Sequence, residues 1–155
     1  MGPKSFRLEQ QLINLLPNYY PMSLTKIESD IVQVENSAAN VFTYLSNFNN
    51  FQKLMPEQVT NWQSTADECT FTINGMATIG MKIVDKTPHS KINISSNGKV
   101  PFDFNLFVLL TEKGENACTG QLAFESELNP MLKMMVVKPL TNFFNMLAQK
   151  MKDIK

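Results

Sequence analysis

Apolar residues recur along this chain with two different periods, and the change of period divides it. Between Val59 and Leu128 apolar and polar residues alternate in short runs, as in strands with one buried and one wet face. From Asn129 onward the apolar positions return every third or fourth residue, as on one face of a helix. The alternating runs predict strands at Val59–Ser64, Glu68–Ile73, 77–83, Lys91–Ser96, 102–111 and Ala117–Leu128. Asn74-Gly75 lies between two of them and predicts a tight primed hairpin turn, which needs positive φ. Asn97-Gly98 predicts a second turn, and the polar run Lys113-Gly114-Glu115-Asn116 a third.

The helical pattern covers residues 129–154. Asn129 suits an N-cap and Pro130 the first helical position, where no backbone donor is missed. Leu132, Val136, Pro139, Leu140, Phe143, Leu147, Met151 and Ile154 share one face, which Met135, Phe144 and Met146 widen. At ~1.5 Å per residue the helix is ~37 Å long, enough to cross a small domain. Pro139 removes a backbone bond within it and predicts a kink, two abutting helices, or a hinge for a lid at residues 131–138.

Upstream, residues 25–34 form a first strand with imperfect alternation: Ile27 and Ile31 fall on one face, Val32 and Val34 on the other. Caps at Glu35, Asn36 and Ser37 lead into a short helix at residues 38–46, and residues 47–55 form a second, ended by Pro56. Residues 1–21 read as a leader or appended segment outside the fold, with Phe6, Leu8, Leu12, Ile13, Leu15 and Leu16 suited to one or two amphipathic turns. The remainder, 22–155, reads as one domain. Its class is α+β, a curved antiparallel sheet of about six or seven strands against a long C-terminal helix.

Composition narrows the function classes. Acidic and basic residues balance at 14 each, which argues against a nucleic-acid partner held through phosphates. No apolar run is long enough to span a bilayer, so no stable membrane insertion is expected. Cys69 and Cys118 have no metal-ligand spacing and read as reduced, buried residues of a cytoplasmic protein. With His89 the single histidine, no metal site or Ser-His-Asp arrangement assembles, and no cofactor is expected. Ten Met and eleven Phe suit an adaptable apolar interior.

The order of elements, with the stretches NSAANVFTYLSNFNNFQKLMP (36–56), SELNP and KPLTNFFNMLAQKMK (138–152), resembles the START-like or helix-grip superfamily. That group is also labelled SRPBCC and includes polyketide cyclase/dehydrase and lipid-transport proteins. The resemblance implies a sheet wrapped around the C-terminal helix with an apolar cavity between them. It also implies activities ranging from lipid binding to cyclisation, among which the fold cannot choose.

On this reading, inward rows of Phe71, Ile79, Met81, Ile83, Ile92, Ile94, Phe104, Leu106 and Phe124 meet Met135, Pro139, Phe143 and Leu147 around a pocket. The expected function is binding or carriage of a small hydrophobic molecule, a lipid or an aromatic metabolite. A filled core without a pocket is the alternative interior. Asn105, Thr72 or Gln121 would orient a ligand only if a bulge turned them inward. A cyclase, dehydratase or hydrolase would need an inward acid or base among Asp85, His89, Asp103, Glu125, Glu127 and Tyr44. Asp103, Glu125 and Glu127 fall opposite the apolar rows, His89 in a turn, and Asp85, though of inward parity, at a strand end, which predicts solvent for these five. A protein-interaction module, or a homodimer using the leader, is a third reading.

Overall fold

The computed structural model describes residues 22–155; the leader and its expected amphipathic turns lie outside the described residues. The sheet has eight strands, all paired antiparallel, where the sequence predicts six or seven. The additional strand arises because the first predicted strand is broken into β1 (Ser23–Glu28) and β2 (Val32–Val34), both paired with β8 (Ala117–Leu128). The break switches side-chain parity. Thr25, Ile27 and Ser29 point inward before it and Val32 and Val34 after it, while Ile31 is left 65% exposed. Both faces that the sequence left open are thus the buried face in turn.

Ser29 stitches the break to β8. Its N–H donates to the Leu122 carbonyl at 2.9 Å, its Oγ accepts from the Leu122 N–H at 2.9 Å, and its carbonyl accepts from Gln121 Nε2 at 2.9 Å. The next residue, Asp30, donates its N–H to Asn145 Oδ1 at 2.7 Å and so ties the break to the long helix.

Two short helices follow, α1 (Ala38–Leu45) and α2 (Phe48–Phe51), with a 3-10 turn at Gln52–Leu54. Ser37 caps α1 by accepting from the Asn40 N–H, and Asn47 caps α2 by accepting from the Asn49 N–H. Four strands then lie in sequence order: β3 (Val59–Ser64), β4 (Glu68–Ile73), β5 (Ala77–Thr87) and β6 (Lys91–Ser96). β7 (Asn105–Gly114) and β8 complete the order β1-β8-β7-β6-β5-β4-β3. α3 (Pro130–Met151) is one continuous helix with Pro139 inside it, not two abutting ones, and Asn129 caps it by accepting from the Leu132 N–H at 2.9 Å. Val136, Leu140, Phe143, Phe144, Leu147, Ala148 and Met151 are its buried residues.

Two close approaches need glycine. A Cβ on Gly80 would lie 2.2 Å from the Asn97 carbonyl oxygen, where the chain leaving β6 crosses β5. One on Gly120 would meet the Met151 methyl at the same distance, where α3 lies on β8. The first collision is with backbone, so we expect Gly80→Ala to cost about 1–3 kcal/mol in a denaturant melt. Gly120→Ala should be milder, because a flexible methionine end can move. Ser29→Ala should cost about 1–3 kcal/mol by leaving the Leu122 N–H without its acceptor in a buried setting.

Candidate functional site

The site is built where the concave face of the sheet, α2 and α3 meet. Inward residues of four strands contribute Phe71 and Ile73 (β4), Ile79 and Met81 (β5), Leu106 (β7) and Phe124 (β8). Phe51 and Met55 close one side, and Leu140, Phe143, Phe144 and Leu147 of α3 form the roof. They surround a cavity of about 40 Å³ in which every lining residue is apolar. Such a volume exceeds a single water's needs, but a buried water wants two to four polar partners and these walls offer no polar side chain.

Two loops finish the wall. The turn between β4 and β5 is not the two-residue primed hairpin that Asn74-Gly75 predicts. It holds three residues, with only Gly75 at positive φ (80°), and the Met76 N–H donates to the Ile73 carbonyl at 3.0 Å. The extra residue, Met76, lines the cavity. Between β6 and β7 the chain makes a longer loop than the Asn97-Gly98 pair suggests. The Ser96 N–H donates to the Phe104 carbonyl at 3.0 Å, the Phe104 N–H donates to Ser96 Oγ at 3.1 Å, and Ser126 Oγ donates to the Asp103 carbonyl at 2.6 Å. This clamp sets Pro101 and Phe102 at the cavity mouth.

From the mouth inward runs a train of aromatic contacts. Phe102 stands edge-on to Phe124 at 6.3 Å, Phe104 stacks on Phe124 at 5.4 Å, Phe124 meets Phe144 at 5.4 Å, and Phe144 meets Phe143 at 5.7 Å. These separations fall in the favourable range for offset and edge-to-face pairs.

Of the residues predicted from sequence, Phe71, Ile79, Met81, Phe104, Leu106, Phe124, Phe143 and Leu147 come together in the wall. Ile92 and Ile94 are fully buried in the core but away from the cavity, and Ile83 is half-buried outside it. Met135 and Pro139 are exposed; they border an outer groove instead, because they lie off the buried strip of α3 on which their neighbours Val136 and Leu140 sit. Met55, Ile73, Met76, Pro101, Phe102, Leu140 and Phe144 were not among the predicted lining residues. Ile73 shares parity with Phe71, and Phe144 lies on the widened helix face, so a signal existed for both. Met55, Met76 and Pro101 sit in loops and carry no periodic signal.

None of Asp85, His89, Asp103, Glu125, Glu127 and Tyr44 lines the cavity. His89 is exposed, with its ring edge-on to Phe42 at 5.4 Å. A bulge after Ile83 breaks the parity that would have carried Asp85 inward. Asp103, Glu125 and Glu127 border a separate open groove. Thr72 bonds Thr78 across the strands at 3.2 Å, Gln121 is engaged with Ser29, and Asn105 is exposed, so no bulge turns these three inward. Among the described residues no cluster of potential metal ligands occurs, and no helix is long and apolar enough to cross a membrane.

Solved structures with the same architecture are plentiful. A norcoclaurine synthase point mutant from Thalictrum flavum, in complex with a transition-state analogue, superposes with a TM-score of 0.69 at 13% identity, covering 86% of this chain and 95% of that one. A START superfamily protein from Mycobacterium smegmatis gives 0.61 at 13% identity, covering 84% and 94%. The fold is START-like, of the helix-grip type. Norcoclaurine synthase solved with dopamine and hydroxybenzaldehyde gives 0.64 at 12% identity, covering 86% and 87%. No protein-family model matches the sequence, and no curated protein does either. At these identities the START-like likeness speaks for the fold alone.

Both cysteines face inward, at Cys69 in β4 and Cys118 in β8. Burial pushes the Cys69 thiol up from 9.0 to about 12, against a smaller opposing effect of a backbone hydrogen bond with Met81. The folded chain therefore keeps a proton that the unfolded chain releases above pH 9.0. This thiol's contribution to stability is intact below pH 9.0 and is lost as pH rises toward about 12. We expect Cys69→Ala to flatten the alkaline fall in stability relative to the parent, measured by denaturant melts from pH 8 to 11. An identical alkaline slope in the two proteins would remove Cys69 from that role.

Proposed function

We propose that the chain binds a small hydrophobic molecule between the sheet and α3. The observation that carries this reading is the cavity whose wall is apolar throughout, placed where the fold brings helix and sheet together. At about 40 Å³ it is smaller than a ring-sized ligand, which needs on the order of 150 Å³. Binding therefore requires part of the wall to move. The movable part is the mouth, because Ile73, Met76, Pro101, Phe102 and Phe143 line both the cavity and an outer groove of about 480 Å³ beside α3. Methionine side chains rearrange cheaply, and Phe102 swinging toward that groove would join the two spaces. Gln58 and Asn74 border the groove, where a ligand's polar end would find hydrogen-bond partners.

The small volume also favours a second reading, a filled core that takes no ligand. Acid–base catalysis in the cavity has less behind it, since no titratable side chain forms its wall. Lipid carriage and aromatic binding remain finer versions of the same proposal.

The test measures stability and uptake of a neutral fluorophore, N-phenyl-1-naphthylamine, in the parent, Phe143→Ala and Leu147→Ala. Phe143 already faces a void on one side, so its removal should cost about 3 kcal/mol, the low end for a buried phenyl. The parent should bind the fluorophore and Phe143→Ala should bind it more tightly. A loss near 5 kcal/mol with no fluorophore bound by any of the three proteins would establish the filled core and end the ligand reading.

A further inference from the structure

We propose that α3 pairs with α3 of a second copy of this chain, antiparallel, about a two-fold axis at Asn142. The helix carries five methionines, and only Met151 is buried. Met131, Met134, Met135 and Met146 are exposed, Met134 to 85%. Methionine is among the residue types most often found inside, so four in water on one helix form a patch that wants cover. Met131, Met135, Lys138, Asn142, Met146 and Gln149 follow one another at spacings of three or four, and all six are exposed. That spacing is the seam of a packed helix pair.

Three features select a second copy as the occupant. First, the two ends of the seam are complementary in charge. Its first half carries Lys133 and Lys138 and no carboxylate. A groove at its other end is lined by Asp30, Met146, Gln149 and Asp153, with a single lysine, Lys150. Antiparallel pairing lays each half on the opposite half of the other copy, and it sets positive dipole ends against negative ones. Second, Lys138 has a specific acceptor. The Asp30 N–H bond to Asn145 Oδ1 holds that residue beside α3, and its carboxylate has no ion-pair partner among the described residues. Asn145 is seven residues on from Lys138 and so on the same flank of the helix. Like flanks meet in an antiparallel pair, so an axis at Asn142 brings Lys138 of each copy to Asp30 of the other, its stem lying over Met146. Third, the Asn142 amide both donates and accepts, so two copies satisfy each other at the axis. A lone polar residue of this kind in a seam fixes register.

The area sets the strength. The 22 residues of α3 span ~33 Å, and a strip ~10 Å wide along them offers on the order of 350 Å² per copy. A stable complex buries about 800 Å² per partner, so this pairing is reversible, with dissociation in the ~10–100 µM range. It uses the outer face of the helix and holds whether or not the cavity takes a ligand.

Sedimentation velocity of the full chain between ~1 µM and ~1 mM tests this, and the mass should rise from one copy to two. Lys138→Glu should weaken the dimer at least ~10-fold, and combining it with Asp30→Lys should restore it. Cysteine substitutions read the register, with oxidised glutathione as the electron acceptor. Asn142→Cys should crosslink to itself, whereas Met135→Cys and Gln149→Cys should crosslink only when the two proteins are mixed. A chain still monomeric at ~1 mM would overturn the proposal. So would a dimer undiminished by Lys138→Glu, or one in which Asn142→Cys forms no crosslink. A monomer that sediments with phosphatidylserine vesicles would overturn it too, by making a membrane the occupant of the methionine face.

Discussion

Everything in this structure depends on the apolar contact between α3 and the concave face of the sheet. Helix and sheet each have one face that cannot be left in water, and each covers the other. The contact is carried by rings. Phe143 and Phe144 come down from α3, Phe124 rises from β8 between them and Phe104, and the phenyls are about 5% exposed or less on the helix side. Burying one such side chain is worth about 1.5–3 kcal/mol, a large share of a total stability of about 5–15 kcal/mol. Polar contacts then fix register more than they add energy. The Asp30–Asn145 bond holds α3 laterally at the β1–β2 break, and Asn129 fixes where the helix begins.

That choice of side chains also explains why the interior has a gap. Flat rings meeting edge-on and stacked do not interdigitate as branched aliphatic side chains do, so a concave sheet lined with them leaves space at its centre. Met55, Met76 and Met81 line it, being unbranched and able to follow irregular surfaces. What remains is a void whose walls give water nothing to bond. An apolar molecule entering it would displace no well-held solvent, and the opposing cost is the rearrangement of the mouth.

Much of this was legible from sequence, and the failures share a cause. Periodicity reports which way a side chain points when the backbone is regular. It therefore identified the inward rows of β4, β5, β7 and β8 and the buried stripe of α3, including Phe143 and Leu147. It gave no answer where an extra residue interrupted the period. The break at Ser29-Asp30-Ile31 exposed Ile31 and buried Val32, and the third residue of the β4–β5 turn brought Met76 inward. Helical projection placed Met135 and Pro139 on the apolar face, but that face is wider than the strip the rest of the fold covers. Val136 and Leu140 beside them are buried, while Met135 and Pro139, off that strip, are exposed. The size of the void was not legible at all, because it is set by how particular rings meet.

Phe102 is where these threads join. It lines the apolar cavity, the groove beside α3 and the acidic groove near Met22, so it is a shared wall of all three spaces. The residue is only half-buried and its loop is held by the Ser96–Phe104 clamp and by Ser126 at Asp103, not by strand pairing. A ring anchored by so few bonds can change position at less cost than one inside a strand, where a shift breaks the ladder. Whatever rests in either groove must pack on one side of this ring, and whatever enters the cavity must displace it from the other. The two events therefore draw on one side chain's position, which is a physical basis for coupling between surface and interior.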